Sequence, residues 1–237
     1  MRFMALANTN FKEMYRNPLH IGLTIGLPIL MLLIFQAIPD WLTTTFLVPG
    51  IVILGFAFLT DSAGMILARD RERAFLSRLL TAPLRATDFI LAYSLPYILV
   101  AIIQIVVVFS IGGLLGLEIS GNLGLVFLVL FIMSIGYIGL GMILGSLFTY
   151  TQAPIVWVVI MLLTVFGGAW MDLEDIGGAI QSTMNVLPFS HALDASRDVM
   201  INGADFSDIA IDLLWVFGYT LVFVTLGILL FRRRMIE

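Results

Sequence analysis

The chain has 237 residues, of which 60% are hydrophobic and 12% charged, and its mean hydropathy is +1.07. Soluble domains carry about 25% charged residues, so too little polar surface is left here for a water-soluble fold, and a soluble enzyme is excluded. There is no cysteine, which removes disulfides, thiolate metal sites and a cysteine nucleophile from consideration. The net charge of −4 is a sum of two unlike halves and argues neither for nor against a nucleic-acid partner; none is expected.

Residues 1–19 place Phe3, Leu6, Phe11, Met14 and Tyr15 among Arg2, Asn8, Lys12, Glu13 and Arg16. Spacings of three and four predict an amphipathic helix suited to the membrane interface, or else a plain lead-in to the first span. Asn17-Pro18 marks the bend. Six apolar runs follow, at residues 21–38, 46–68, 89–115, 123–148, 153–170 and 209–231. Each approaches or exceeds the roughly 20 residues that cross hydrocarbon. Every backbone N–H and C=O must be satisfied within lipid, which predicts helices rather than open strands. The fold class is therefore all-α and membrane-integral: one transmembrane domain over residues 1–237 with six spans. No signal-peptide cleavage pattern is evident, and the first apolar run reads as a retained span. Pro28, Pro96 and Pro154 are expected to bend or begin helices. Gly136, Gly141 and Gly145 allow close helix contact.

Eleven basic residues fall on one face of this arrangement: Arg2, Lys12, Arg16, Arg69, Arg71, Arg73, Arg78, Arg85, Arg232, Arg233 and Arg234. Only Arg197 falls on the other, and ten acidic residues, from Asp40 to Asp212, lie on its side. The positive-inside bias predicts cytoplasmic N- and C-termini. The connection at residues 69–88 is then cytoplasmic, and the long connection at residues 171–208 is outer.

The cytoplasmic connection opens with Arg69-Asp70-Arg71-Glu72-Arg73. An apolar stripe of Phe75, Leu76, Leu79 and Leu80 comes next, and Pro83 ends it. A short helix of this kind can dock in a groove of a peripheral protein; the plainer reading is a set of topology anchors. In the outer connection, a helix is expected at residues 192–201. Leu193, Val199 and Met200 would turn toward the membrane or the bundle, and Arg197 would lie within helical reach of Asp194 and Asp198 as an exposed ion-pair cluster. The two histidines, His20 and His191, belong near opposite faces, so no metal site is expected. Asp61 lies within a span, eight positions before Arg69, or about 12 Å along a helix. Asp61 and Gln104 are candidate pathway residues or structural polar contacts within the bundle.

Residues 69–84 resemble the cytoplasmic segment of ABC-2 type transport permeases, the membrane subunits of bacterial and archaeal ABC exporters. Arg71, Glu72 and Arg73 match its charged part, and Leu76, Leu79, Leu80 and Pro83 its apolar part. Ala74, Phe75 and Ser77 stand where Gly, Thr and Glu are usual. The resemblance covers nearly the whole chain, since the order of interfacial helix, six spans and long outer segment is also the family's. The run from Asn185 to Arg197, with Pro188, Phe189, His191 and Asp194, is similar to the family's short re-entrant helices that cap the pathway.

The resemblance implies a coupling helix that meets a separate ABC ATP-binding subunit through Glu72, Arg73, Leu76, Arg78, Leu79, Leu80 and Pro83. It implies a second permease chain, identical or different, and membrane lipids around both. The implied function is ATP-driven export of a hydrophobic or amphipathic small molecule, or of a lipid-linked substrate, across the inner (cytoplasmic) membrane. No phosphate-binding Gly-Lys-Ser/Thr loop occurs in the chain. Catalysis by this chain is therefore not expected, it binds no cofactor, and ATP and Mg belong on the partner. An ATPase-independent scaffold and a secondary transporter are the competing classes.

Overall fold

A computed structural model describes residues 2–16, 22–38, 42–72 and 86–236. Ten α-helices are found among them: α1 (Arg2–Tyr15), α2 (Leu27–Gln36), α3 (Thr44–Glu72), α4 (Ala86–Leu114), α5 (Leu123–Leu147), α6 (Ala153–Thr164), α7 (Leu173–Ile176), α8 (Gly178–Met184), α9 (Pro188–Arg197) and α10 (Ala210–Ile236). One-turn π segments precede α2 (Gly22–Gly26) and follow α6 (Val165–Ala169) and α9 (Asp198–Asn202). No strand occurs among the described residues.

Among the described residues four helices are long and apolar enough to cross a membrane: Thr44–Glu72, Ile90–Leu114, Leu123–Leu147 and Ala210–Arg233. The other two apolar helices, Gly22–Gln36 and Ala153–Ala169, are shorter. Pro28 and Pro154 sit in the first turns of α2 and α6, where a missing N–H costs nothing, while Pro96 is accommodated inside α4. The long connection folds as α7, α8 and α9. The expected helix at residues 192–201 instead begins at Pro188, because Leu187 is extended and proline pre-sets the first helical turn.

Helix α3 is the centre of the bundle, buried over most of its length, and α5 packs between α3 and α10. Glycines of α5 explain the close approach. A Cβ on Gly141 would stand 2.8 Å from the Thr60 carbonyl oxygen, and one on Gly145 2.7 Å from that of Gly64, so they set the seam with α3. Gly136 does the same against Thr220 of α10. Between these seams lies Tyr137, fully buried. Its hydroxyl is 2.6 Å from that of Thr164 in α6, its carbonyl accepts from Thr60 Oγ1 at 2.7 Å, and its ring touches Phe56 and Phe189. One tyrosine thus joins α3, α5, α6 and α9. Helix α1 lies along α4, with Ala7, Asn10 and Met14 turned inward and Asn10 Nδ2 donating to the Ala92 carbonyl at 3.2 Å.

Gly145→Leu is expected to lower the thermal midpoint of unfolding sharply. Overpacking of this kind costs about 1–3 kcal/mol, and here the added atoms meet both the Leu67 side chain and the Gly64 carbonyl. Gly113→Ala, where an added Cβ meets nothing within 4 Å, is expected to leave the midpoint unchanged or raise it slightly. Tryptophan-fluorescence melts of the two variants in the same detergent make the comparison; equal midpoints would show that the α3–α5 seam can relax.

Candidate functional site at the two ends of the central helix

Helix α3 begins beside α9 and ends beside the turn between α5 and α6. Both ends are held by an arginine that seals another helix's C-terminus. The last carbonyls of a helix have no intrahelical partner, and where they are buried another group of the protein must supply one.

At the α9 end, the helix formed by α6 and its π turn breaks at Gly168, whose φ of 102° lies in the left-handed region that favours glycine. The carbonyls of Gly168 and Ala169 are left facing inward. Arg197 Nη2 donates to both, at 2.8 and 3.3 Å, and its Nε donates to the Phe46 carbonyl in the first turn of α3 at 3.2 Å. The guanidinium lies flat on the Phe46 ring, 3.5 Å from its centroid. Gly50 permits this junction, because a Cβ there would stand 1.6 Å from the Ala169 carbonyl oxygen. Arg197 is therefore buried, at 8% exposure, and the exposed ion-pair cluster expected with Asp194 and Asp198 is corrected. Three carbonyls and an aromatic face compete better for a guanidinium than carboxylates that water already solvates. Burial lowers its pKa to about 10, opposed by the charges of Asp194 and Asp172, so it stays cationic at neutral pH.

Arg197 is one wall of a polar cavity of about 540 Å³, which Asp172, Glu174, Asp194 and Asp198 line together with Gln181, Asn185 and Asn202. Asp194 opens into this cavity, yet the protein around it removes enough water to raise its pKa to about 6, against the pull of Arg197. Leu193, Val199 and Met200 turn into the bundle, and Phe189 is buried against Tyr137. Pro188 starts α9. Its neighbour His191 bonds across to α10: Nδ1 lies 2.6 Å from Asp212 Oδ1, and Nε2 lies 3.0 Å from the Asn185 carbonyl oxygen. Among the described residues no cluster of three His, Asp or Glu suited to a metal ion occurs.

At the other end of α3, Arg71 donates from Nη1 to the Ser146 carbonyl and from Nη2 to the Phe148 carbonyl at 2.9 Å, closing the C-terminus of α5. Glu72 accepts from the backbone N–H of Tyr150 at 2.7 Å. Together they clamp the end of α3 to the α5–α6 turn. Asp70, buried one residue earlier, accepts from the Tyr93 hydroxyl at 2.7 Å and pairs with Arg69. Of the expected coupling residues, Glu72 is thus engaged within the chain. Arg73, Leu76, Arg78, Leu79, Leu80 and Pro83 lie outside the described residues.

The two polar residues inside the helices differ from each other. Gln104 is wholly enclosed, donating from Nε2 to the Val52 carbonyl at 3.0 Å beside Gly55. Asp61 is half-buried, and its Oδ1 has no hydrogen-bond partner among the described residues. With Met65 and Arg69 it forms the partly open stripe of an otherwise enclosed half of α3. Sequence reasoning missed Asp212, Trp215, Phe46 and Gly168 as partners of α9. They lie 21 to 151 positions from the side chains they meet, beyond any local spacing rule.

The described residues form an all-helical bundle with the make-up of a membrane-integral protein. The family model for the ABC-2 type transporter matches residues 1–201, and the chain belongs to that family. It is 22% identical over 188 residues to the probable multidrug ABC transporter permease YbhR of Escherichia coli K12, covering 78% of this chain and 49% of that protein. It is 25% identical over 195 residues to the daunorubicin resistance ABC transporter permease protein DrrB1 of Streptomyces coeruleorubidus, covering 80% of this chain and 69% of the relative. ABC transporter G family member 20 of Dictyostelium discoideum is 23% identical over 80% of this chain and 27% of its own length. The chain thus spans about half the length of the Escherichia coli relative. Helix α10, which packs along α5, lies beyond the matched range.

Arg197→Lys and Arg197→Met are expected to destabilise the chain in that order. A lysine keeps the charge but not the planar fork that serves three carbonyls and the Phe46 face. Methionine leaves all three dry, at about 1–3 kcal/mol for each buried group left unsatisfied. Thermal melts of the purified variants test this; a lysine variant as stable as the parent would remove the fork from the account.

Proposed function

We propose that the chain is the permease subunit of an ATP-driven exporter in the inner (cytoplasmic) membrane, with both termini cytoplasmic. In this reading six segments cross: α2 and α6 with their π turns, α3, α4, α5 and α10. Helices α7 to α9 close the outer side, α9 as a re-entrant cap. Eleven basic residues then lie inside, which supports the orientation.

The observation that carries the reading is the family match over residues 1–201. The names of two relatives refer to multidrug transport and daunorubicin resistance, which favours a hydrophobic or amphipathic small molecule as cargo; a lipid-linked substrate belongs to the same physical class. The pathway runs between two permease chains, and the open stripe of Asp61, Met65 and Arg69 on α3 faces it. Gln104, enclosed in the bundle, is assigned a structural role. An unpartnered acid in such a stripe suits a cationic cargo or a side chain of the second chain.

Coupling follows from the clamp on α3. Residues 73–85 leave α3 directly after Arg71 and Glu72. A push delivered there by a separate ATP-binding subunit reaches α3 and the α5–α6 turn together. Arg73, Leu76, Arg78, Leu79, Leu80 and Pro83 are assigned to the subunit contact, and Arg71 and Glu72 to transmission. ATP and Mg sit on the partner, since this chain carries no phosphate loop. Two conformations of the bundle with different affinity for cargo complete the cycle.

Co-reconstitution with the candidate ATP-binding subunit tests the reading against a panel of amphipathic compounds. ATP-dependent movement of at least one is expected. A stable complex in which nothing moves and turnover is unresponsive would favour a scaffold, and transport driven by an ion gradient alone a secondary carrier. Charge reversal at Arg73 or Arg78 is expected to lower complex yield on co-purification or ATPase stimulation by more than tenfold, about 1.4 kcal/mol of contact energy. Parental yield and coupling in both variants would move the contact elsewhere.

A further inference from the structure

The His191 site is built in a way that a structural histidine does not require. The Asn185 carbonyl oxygen only accepts hydrogen bonds, so His191 Nε2 must carry a proton. A neutral imidazole has one N–H, which would leave Nδ1 bare, lone pair against carboxylate, 2.6 Å from Asp212 Oδ1. That distance requires a second proton between them. The ring also lies flat on Trp215, with centroids 5.0 Å apart and planes 7° from parallel, the arrangement in which an imidazolium gains from an aromatic face. Trp215 and Asp212 both belong to the first turns of α10, and Trp215 stacks on Tyr219 in turn.

The charges that act on the ring are Asp212 from α10 and Asp194 one turn further along α9. Asp194 in its turn feels Arg197, Asp212 and Asp198. All those that act on the ring directly are acidic. Arg197 bonds the far end of α9 to α3 and α6 through groups that do not titrate near neutrality. His191 bonds the near end to α10 through one that does.

We propose that the His191–Asp212 pair is a proton-operated latch that fastens α9 to α10 when His191 is an imidazolium and releases that end of α9 when the ring loses its proton, with Arg197 as the fixed hinge. The device goes beyond the transport reading and depends on neither cargo nor ATPase. Its direction follows from linkage. The hydrogen bond to Asp212 raises the His191 pKa above its ordinary value, outweighing burial. The latch's contribution is therefore complete below about 6.5 and is lost as pH climbs through the raised value.

The full chain in lipid nanodiscs, where both faces meet the same pH, tests the proposal. His20→Gln leaves His191 as the sole histidine, so a ring-carbon NMR titration reads it alone. Its midpoint is expected above 6.5, falling in Asp212→Asn. Hydrogen exchange of residues 188–197, corrected for intrinsic rates, should lose protection severalfold across the same pH range in the parent. In His191→Gln it should be independent of pH. A midpoint at or below 6.5, or one that Asp212→Asn leaves in place, overturns the imidazolium pair. The same pH-dependent loss of protection in His191→Gln overturns the latch, and Asp212→Asn supplies that reading by itself if the histidine variant does not fold.

Discussion

A helix that stops inside a packed bundle leaves carbonyl oxygens that other groups of the protein must satisfy. The rest of this structure depends on how two such ends are closed. Helix α6 breaks at Gly168 and α5 stops at Leu147, and in each case an arginine from another helix reaches the stranded carbonyls. The choice of arginine is physical. Its fork spans two or three acceptors at once, and its charge matches the negative end of the helix dipole. Both guanidiniums also tie the helix end to α3, one through the Phe46 carbonyl and ring and the other because Arg71 is part of α3. Closing the ends and assembling the bundle are therefore one event.

From that arrangement the position of α9 follows. It is a ten-residue helix with no long partner of its own, and it is held by contacts at three points. Arg197 fixes one end, Phe189 packs on Tyr137 at the other, and His191, one turn in from Pro188, reaches α10. Tyr137 matters because its hydroxyl and carbonyl bond to α6 and α3 while its ring supports α9. This residue therefore touches α3, α6 and α9 at once.

The architecture was legible in the sequence to the extent that it depends on local properties. Apolar runs, prolines and the glycines of α5 each act within a few residues; the six runs are helical, four of them long and apolar enough to span and two shorter. Arg197 shows where such reading stops. Its sequence neighbours Asp194 and Asp198 are the obvious partners by helical spacing, whereas its true acceptors are backbone carbonyls of residues 46, 168 and 169. A carbonyl bears no sequence signature. Only a break in a distant helix makes it available, and that break depends on Gly168 adopting a positive φ. Asp212 is hidden for a related reason: it reads as one acid among many until the fold sets it against a histidine.

The same comparison revises what a charge near a membrane face means. Counting Arg71 and Arg197 with the other basic residues treats each as a unit of topology, and by that count Arg197 is an exception that weakens the bias. Its surroundings remove the exception. A guanidinium bonded to three carbonyls and laid on a phenylalanine is nearly out of contact with water, and its charge answers to the ends of helices before it answers to the membrane potential or to lipid headgroups. Arg71, counted among the supporters of the bias, is engaged in the same way. With Arg71 and Arg197 set apart, the proposed orientation depends on the other ten basic residues. Depth and partners decide what each arginine contributes, and its sign alone does not.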